Sequence, residues 1–482
     1  MRTPEVSRPV SVLHATTEIA PWIKTGGLAD VTAALPEALA RQGTDTRTVV
    51  PGFPAILDAL QESRSIYEAQ GLFGTARMRV LQGRLPGRST AVYVIDAPSM
   101  YLRPGTPYAP PQGQDWGDNL LRFAMLGWVS AKLASGEIDG AWRPDVLHVH
   151  DWHPALAHAY LADAWPPVKT VLTIHNIDYT GRFRPHDFHR LNLPHWVAAG
   201  LGPLEYFGDL CLLKAGMLLA HKVTTVSRTY ATEIIAGRHG NGLDAVARSR
   251  ADGITGIVNG VDYGTWDPRH DPMLPAHYHH DDLAGKAACK TALRARFDLE
   301  SLPDRPIFVI VSRLNGQKGL DLAADAADSI VESGGQLIVI GSGENHLEWR
   351  FQMLRDRHPR HIGVYFGYSD PLAHLAIAGG DMLLMPSRHE PCGLTQLYAK
   401  RYGTLPIVQS NGGLADTVDE RTGFLFDERY TTLAETARQA MHLFQDRNRW
   451  RAMMSAAMLA DHGWQRSAIE YQQLYEGLAV HR

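Results

Sequence analysis

A chain of 482 residues exceeds what one ordinary hydrophobic core holds, so two domains of roughly 200 residues or more each are the natural division. Its 45% hydrophobic and 20% charged residues are those of a globular protein, and a formal net charge of −4 offers no basic surface for nucleic acid or anionic lipid. Three widely separated cysteines, Cys211, Cys289 and Cys392, exclude a disulfide framework and a paired zinc spacing. No run approaches the ~18 uninterrupted apolar residues of a membrane span, and Met1 to Pro9 lacks a signal-peptide core. A reducing cytoplasm is the expected setting.

In chain order, the first half supplies strand candidates at Val12–Thr16, Thr46–Val50, Ala91–Asp96, Val146–His150, Thr170–Ile174 and Lys222–Val226, mostly separated by helix-length stretches. That cadence predicts an α/β fold with a mainly parallel, doubly wound sheet. Texture changes near Ala251, and the proline-, histidine- and aspartate-rich tract Trp266 to Asp282 reads as an interdomain connection plus surface loop. The pattern then restarts with Ile307–Val311, Gln336–Ile340, Gly363–Phe366, Met382–Met385 and Leu405–Val408. The expected domains are 1–253, 254–461 and a C-terminal segment 462–482. In the last, Ile469, Tyr471, Leu474, Tyr475 and Leu478 form an apolar helical stripe.

The pentapeptide Gly-Gly-Leu-Ala-Asp occurs at Gly26–Asp30 and again at Gly412–Asp416, each time between an apolar strand candidate and a helix. Glycine pairs let backbone approach an anion, and a helix start offers unpaired N–H groups and a positive dipole end. Lys24 adds a full charge beside the first pair. Two facing phosphate clamps would look like this, and so would two unrelated strand-to-helix turns. Arg313 and Lys318, five residues apart after the restart strand, could hold both phosphates of a leaving nucleotide diphosphate; a solvated basic loop is the plainer reading. Asp151 and His153 flank Trp152 at a strand end, where a buried His–Asp pair holding a loop would give the same pattern. Cys392 reads as a small buried residue, since no motif sets a base beside it. His277, His279 and His280 sit in the polar tract without a second ligand cluster, so no metal site is expected. The chain contains no Asp-x-Asp.

Met385-Pro386-Ser387-Arg388-His389-Glu390-Pro391-Cys392-Gly393-Leu394-Thr395-Gln396 again follows an apolar strand. Taken with Lys24-Thr25-Gly26-Gly27-Leu28, His150-Asp151-Trp152-His153, Thr173-Ile174-His175-Asn176 and Val258-Asn259-Gly260-Val261-Asp262, it makes the chain resemble the bacterial glycogen synthases. With the plant starch synthases, these are retaining glucosyltransferases that extend α-1,4-glucan from ADP-glucose. The resemblance runs from about Val12 to Tyr475. It implies a GT-B fold, two Rossmann-type domains facing a deep cleft, the first serving the glucan acceptor and the second the nucleotide sugar, with the C-terminal helix returning to the first.

The same resemblance assigns Lys24, Gly26 and Gly27 to the nucleotide sugar's phosphate, and Arg313 and Lys318 to the diphosphate. His175, Asn176 and Asp151 fall at the glucose pocket. Glu390 contacts sugar hydroxyls with the backbone around Cys392, Gly393, Leu394 and Thr395, Gly412 and Gly413 form the second clamp, and Tyr368 stacks on the base. The expected partners are ADP-glucose and glycogen, with no metal, no cofactor, no nucleic acid and no membrane. The residues alone fit ADP-glucose or UDP-glucose equally. Gln409-Ser410-Asn411 departs from the family's Arg-x-Thr, which puts the second clamp's phosphate contacts in question. Tyr398 stands where wider relatives carry a second glutamate, as in the glycogen synthases themselves. A transferase or epimerase of the same fold using another nucleotide sugar would keep Lys24, Arg313, Lys318 and Glu390; a non-catalytic glucan-binding relative would have lost one of them.

Overall fold

A computed structural model describes residues 8–162, 164, 167–198 and 202–479. The chain forms two compact units: one takes the residues up to Val258 together with those from Trp464 onward, the other Asn259–Gly463.

The first unit is built on a nine-stranded sheet. Across it run Thr255–Gly256, Lys222–Thr225, Lys169–Ile174, Val146–His150, Ser11–Ala15, Asp45–Pro51, Ala91–Asp96, Met78–Arg84 and Gln61–Ala69. Neighbours are parallel as far as Ala91–Asp96, and the last two strands join antiparallel. The central strands Ser11–Ala15 and Val146–His150 are buried at every residue, as strands covered on both faces are, and carry His14, His148 and His150 among their apolar residues. Gln61–Ala69 escaped the sequence reading because it carries Glu62, Arg64 and Glu68 and is mostly exposed; charge on an edge strand blocks pairing with another chain. A small antiparallel sheet, Arg182–Phe183, Asp209–Cys211 and Glu205–Tyr206, lies outside the main one.

The helix Trp464–Ala479 belongs to this unit. Trp464, Ala468, Tyr471, Tyr475 and Leu478 are buried with Val31, Leu35, Ala38 and Leu39 of the helix Gly27–Arg41 and with Val12, Val146 and Val171 of the sheet. Burying a large apolar side chain is worth about 1.5–3 kcal/mol, so this stripe anchors the chain end firmly. Ile469 is not part of it: Ile469 is 46% exposed, and Ala468 takes the buried position.

The second unit has six parallel strands in the order Ile362–Tyr365, Gln336–Ile340, Ile307–Val311, Met382–Met385, Leu405–Gln409, Phe424–Phe426. The tract Trp266 to Asp282 is not the surface loop its composition suggests. Asp267 and Asp271 are fully buried. Asp271 accepts hydrogen bonds from His374 Nδ1 (2.7 Å) and the Tyr402 hydroxyl (2.6 Å), and Asp267 pairs with Arg401 and Arg269 (both 2.6 Å). Buried carboxylates need such partners, and His374, Arg401 and Tyr402 are supplied by other segments of this unit. Trp266 is stacked between His374 (3.7 Å) and Tyr398 (4.0 Å). His277 and His279 are exposed and His280 is half-buried.

Candidate active site

Three loops at the carboxyl ends of neighbouring strands carry the first unit's candidates, the position where open α/β sheets bind ligands. After Ser11–Ala15, buried Glu18 organises the loop. Its carboxylate accepts the Thr25 N–H (2.7 Å) and hydroxyl (2.5 Å) and the Tyr108 hydroxyl. The loop thus delivers Lys24 and Gly26 to the start of the helix Gly27–Arg41. Lys24 is exposed and pairs with Asp30 (2.9 Å). Gly26 is extended (φ −164°), and a Cβ built there meets no atom within 4 Å. Nothing in the fold requires glycine at this point.

After Val146–His150, Asp151 adopts φ +59° and its N–H reaches the Thr173 carbonyl (2.9 Å). Its carboxylate accepts the His175 N–H (2.7 Å), tying two strand ends together. Burial raises its pKa to about 7, opposed by the N–H groups of His175 and Asn176 and reinforced by the Glu18 charge. His175, also buried, has its pKa lowered to about 3 by desolvation, and its Nε2 lies 3.0 Å from Nδ1 of His150. Asn176 closes the following turn, its side chain accepting the Asp178 N–H (3.0 Å). His153 does not pair with Asp151; its ring stacks on Tyr108 (5.0 Å) and lies 4.1 Å from Trp152.

In the second unit, two loops are locked together. Lys318 Nζ meets the buried carboxylate of Glu390 at 2.5 Å, and Arg388 grips Asp321 through two bonds of 2.6 and 2.7 Å. Gly319 (φ +64°) is required, because a Cβ would stand 2.0 Å from the Pro386 carbonyl oxygen. Arg313, five residues before Lys318, is exposed and has no ion pair among the described residues. Asn411, which departs from the family pattern, joins the neighbouring loops: its amide donates to the Ser387 carbonyl (2.7 Å) and its carbonyl accepts the Glu390 N–H (3.2 Å).

The second glycine pair corrects the clamp expectation. Gly412 (φ +42°) and Gly413 are buried, and the Gly413 N–H already donates to the Glu390 carbonyl (3.0 Å). A Cβ on Gly413 would lie 2.3 Å from the Cys392 backbone. This turn serves close packing, and its Gly413 amide is not open to a phosphate. Cys392 is buried, which pushes its thiol up to about 12 and leaves it inert as a nucleophile. Gly393 (φ +71°), Leu394 and Thr395, all half-buried, lead into the helix Thr395–Arg401. Tyr368 is 71% exposed, its hydroxyl bonded to Asp370.

Glu18 and Tyr108 carry no recognisable site signal in the sequence, since they meet across 90 positions, and Asn411 showed there only as a departure from the family pattern. The histidines at 148 and 150, two apart on a strand and so on one face, are the available hint of the buried ring cluster around His175.

Two Rossmann-type units with charged groups at their strand ends fit the GT-B fold, and comparison with known proteins makes the chain a glycosyltransferase of that type. Residues 11–249 match the starch synthase catalytic domain, and residues 293–454 match glycosyl transferases group 1. The chain belongs to the glycogen synthase family. It is 42% identical to the glycogen synthase of Francisella philomiragia over 97% of this chain and 99% of that one, and 43% identical to that of Paramagnetospirillum magneticum over 97% of each. The catalytic domain of starch synthase IV from Arabidopsis thaliana, solved bound to ADP and acarbose, superimposes with a TM-score of 0.87 at 28% identity, covering 98% of this chain and all of that one. Among the described residues no helix is long and apolar enough to cross a membrane.

Proposed function

We propose that this glucosyltransferase takes glucose from ADP-glucose and adds it to the non-reducing end of an α-1,4-glucan with retention of configuration, in the cytoplasm and without a metal. The observation that carries the reading is the cation arrangement after the strand Ile307–Val311: Lys318 held by buried Glu390, and Arg313 left exposed. As the glycosidic bond breaks, negative charge gathers on the departing diphosphate, and preset cations stabilise it. Lys24 and the Gly26 and Gly27 N–H groups add donors in the first unit, where Gly26 leaves room for a close-approaching phosphate. Asp151 and His175 face the glucose, with Asn176 beside them; Glu390 and the backbone of Cys392, Gly393, Leu394 and Thr395 take its hydroxyls; Tyr368 offers an exposed ring to the base. The adenine nucleotide is favoured because the structurally similar starch synthase IV was solved with ADP.

Retention follows from front-face displacement. The acceptor hydroxyl oxygen bonds to the anomeric carbon as the bond to phosphate breaks, and the leaving phosphate oxygen takes the hydroxyl proton. A backbone carbonyl near His175 stabilises the cationic sugar as the bond breaks.

The test is purified protein with glycogen and ADP-, UDP- and GDP-glucose in turn, reading nucleotide release and the anomeric configuration of the product, with and without EDTA. Fastest release from ADP-glucose, α-1,4 product and indifference to EDTA are expected. Preference for another donor, a β-linked product, or loss of activity in EDTA restored by magnesium would overturn the corresponding part.

A further inference from the structure

Behind His175 lies a chain of buried rings that the proposed reaction does not use. His14 Nδ1 is 3.1 Å from His150 Nε2, and His150 Nδ1 is 3.0 Å from His175 Nε2. His14 and His150 are completely buried. Parallel pairing sets His14 beside His148, and the two-residue alternation puts His150 on the same face. His148 lies against His150, with ring centroids 4.2 Å apart, yet stays outside the chain: its Nδ1 bonds the Tyr475 hydroxyl (2.7 Å) and its Nε2 the Thr173 hydroxyl (2.6 Å). His14, His148 and His150 could bring ring nitrogens within 4.8 Å of one another, as a metal would require. Both nitrogens of His148 and both of His150 are already engaged, so the cluster reads as a hydrogen-bonded network.

Proton counting then fixes the arrangement. Burial lowers His14 and His175 to about 3 and His150 well below its ordinary value, so each ring is neutral and carries one proton. Each N···N contact needs one proton, and a ring with none or two would be charged in the core. Only two patterns remain. In one, donation runs from His14 to His150 to His175; in the other it runs back, leaving an N–H at His14 Nε2. That atom is buried and has no hydrogen-bond partner among the described residues. Buried N–H groups without acceptors are rarer than acceptors without donors, so donation runs toward His175.

We propose that His14 and His150 are positioning residues that fix the tautomer of His175, with Nε2 accepting from His150 and the proton held on Nδ1 as the ring's remaining donor. The proposal rests on the reading of His175 as a sugar-pocket residue, where a fixed donor would recognise an acceptor oxygen and a mixed tautomer would not.

Two measurements on the full chain test it. The first is ring-nitrogen NMR of histidine-15N-labelled protein, with His175→Gln identifying the His175 signals among 23 histidines. It should show Nε2 bare and Nδ1 protonated; the opposite or a mixed tautomer overturns the proposal, whatever the enzyme's activity. The second compares variants of His150. The Asn amide stands where Nδ1 does and can still donate to His175, whereas the Gln amide stands where Nε2 does and cannot. With thermal melting as the folding control, His150→Asn should turn over about tenfold faster than His150→Gln, the scale on which losing an outer-shell partner of a working histidine acts. Equal turnover of the two would overturn the positioning role. Wild-type protein inactive with ADP-glucose would contradict the functional reading instead, and the NMR result would still decide the tautomer.

Discussion

At Gly26 the pentapeptide Gly-Gly-Leu-Ala-Asp opens a 15-residue helix from an extended glycine with free space where a side chain would stand. At Gly412 the same five residues open a six-residue helix from a left-handed glycine, buried against the Cys392 backbone. The Gly413 N–H is engaged by the Glu390 carbonyl, whereas no acceptor among the described residues takes the Gly26 or Gly27 N–H. Identical sequence therefore yields a turn open to a ligand in one unit and a protein-facing turn in the other. What separates them is whether another loop of the fold has already claimed the amide.

The largest effect should come from the loops that the second turn supports. Lys318→Ala removes the cation that Glu390 positions, and losing one such stabilising group costs roughly 3–4 kcal/mol of transition-state stabilisation. Turnover in the nucleotide-release assay should fall by about two to three orders of magnitude, and near wild-type turnover would detach this region from the chemistry.

Next comes the packing role itself. Gly413→Ala forces a methyl group to 2.3 Å from backbone that cannot swing aside, and overpacking of this kind costs about 1–3 kcal/mol. Thermal denaturation should show a melting temperature lower by several degrees. A variant that melts with the wild type would mean the turn is looser than described.

A smaller effect probes the first region through pH. Burial raises Asp151 from 3.8 to about 7, and the Glu18 charge that organises the Lys24 loop contributes. The folded protein keeps a proton there that the unfolded chain releases near pH 4, so Asp151's effect on stability worsens between about pH 4 and pH 7 and is constant above. The profile of kcat/KM should carry an inflection near pH 7 that Asp151→Asn abolishes. An unaltered profile in that variant would assign the inflection elsewhere.

The contrast between the two turns also marks what the sequence could reveal. Apolar runs such as Ile307–Val311 and Met382–Met385 announced the second parallel sheet, because strands buried on both faces need continuous hydrophobicity. Lys24, Arg313 and Lys318 stood out as candidates because charge at a strand end is conspicuous, whereas Glu390 was singled out through the family resemblance. Three things were not legible. Gln61–Ala69 hides its strand behind edge charges. Asp267 and Asp271 look like loop residues until Arg401, His374 and Tyr402, more than a hundred positions away, supply their partners. The second pentapeptide looks like the first until the Cys392 backbone closes over it. For the aspartates and the second glycine pair, the deciding neighbour is distant in sequence, so no local pattern carries it.

The distinction between the two turns is tested most directly by thermal melting of Gly26→Ala with and without saturating ADP. An extended φ and open space around the Cβ mean that the unliganded variant should melt with the wild type. A methyl group where a phosphate approaches should shrink the stabilisation that ADP confers, which scales with the logarithm of its affinity. A variant that melts early without ADP, or that keeps the full ADP-induced rise, would contradict the assignment of this turn to the ligand.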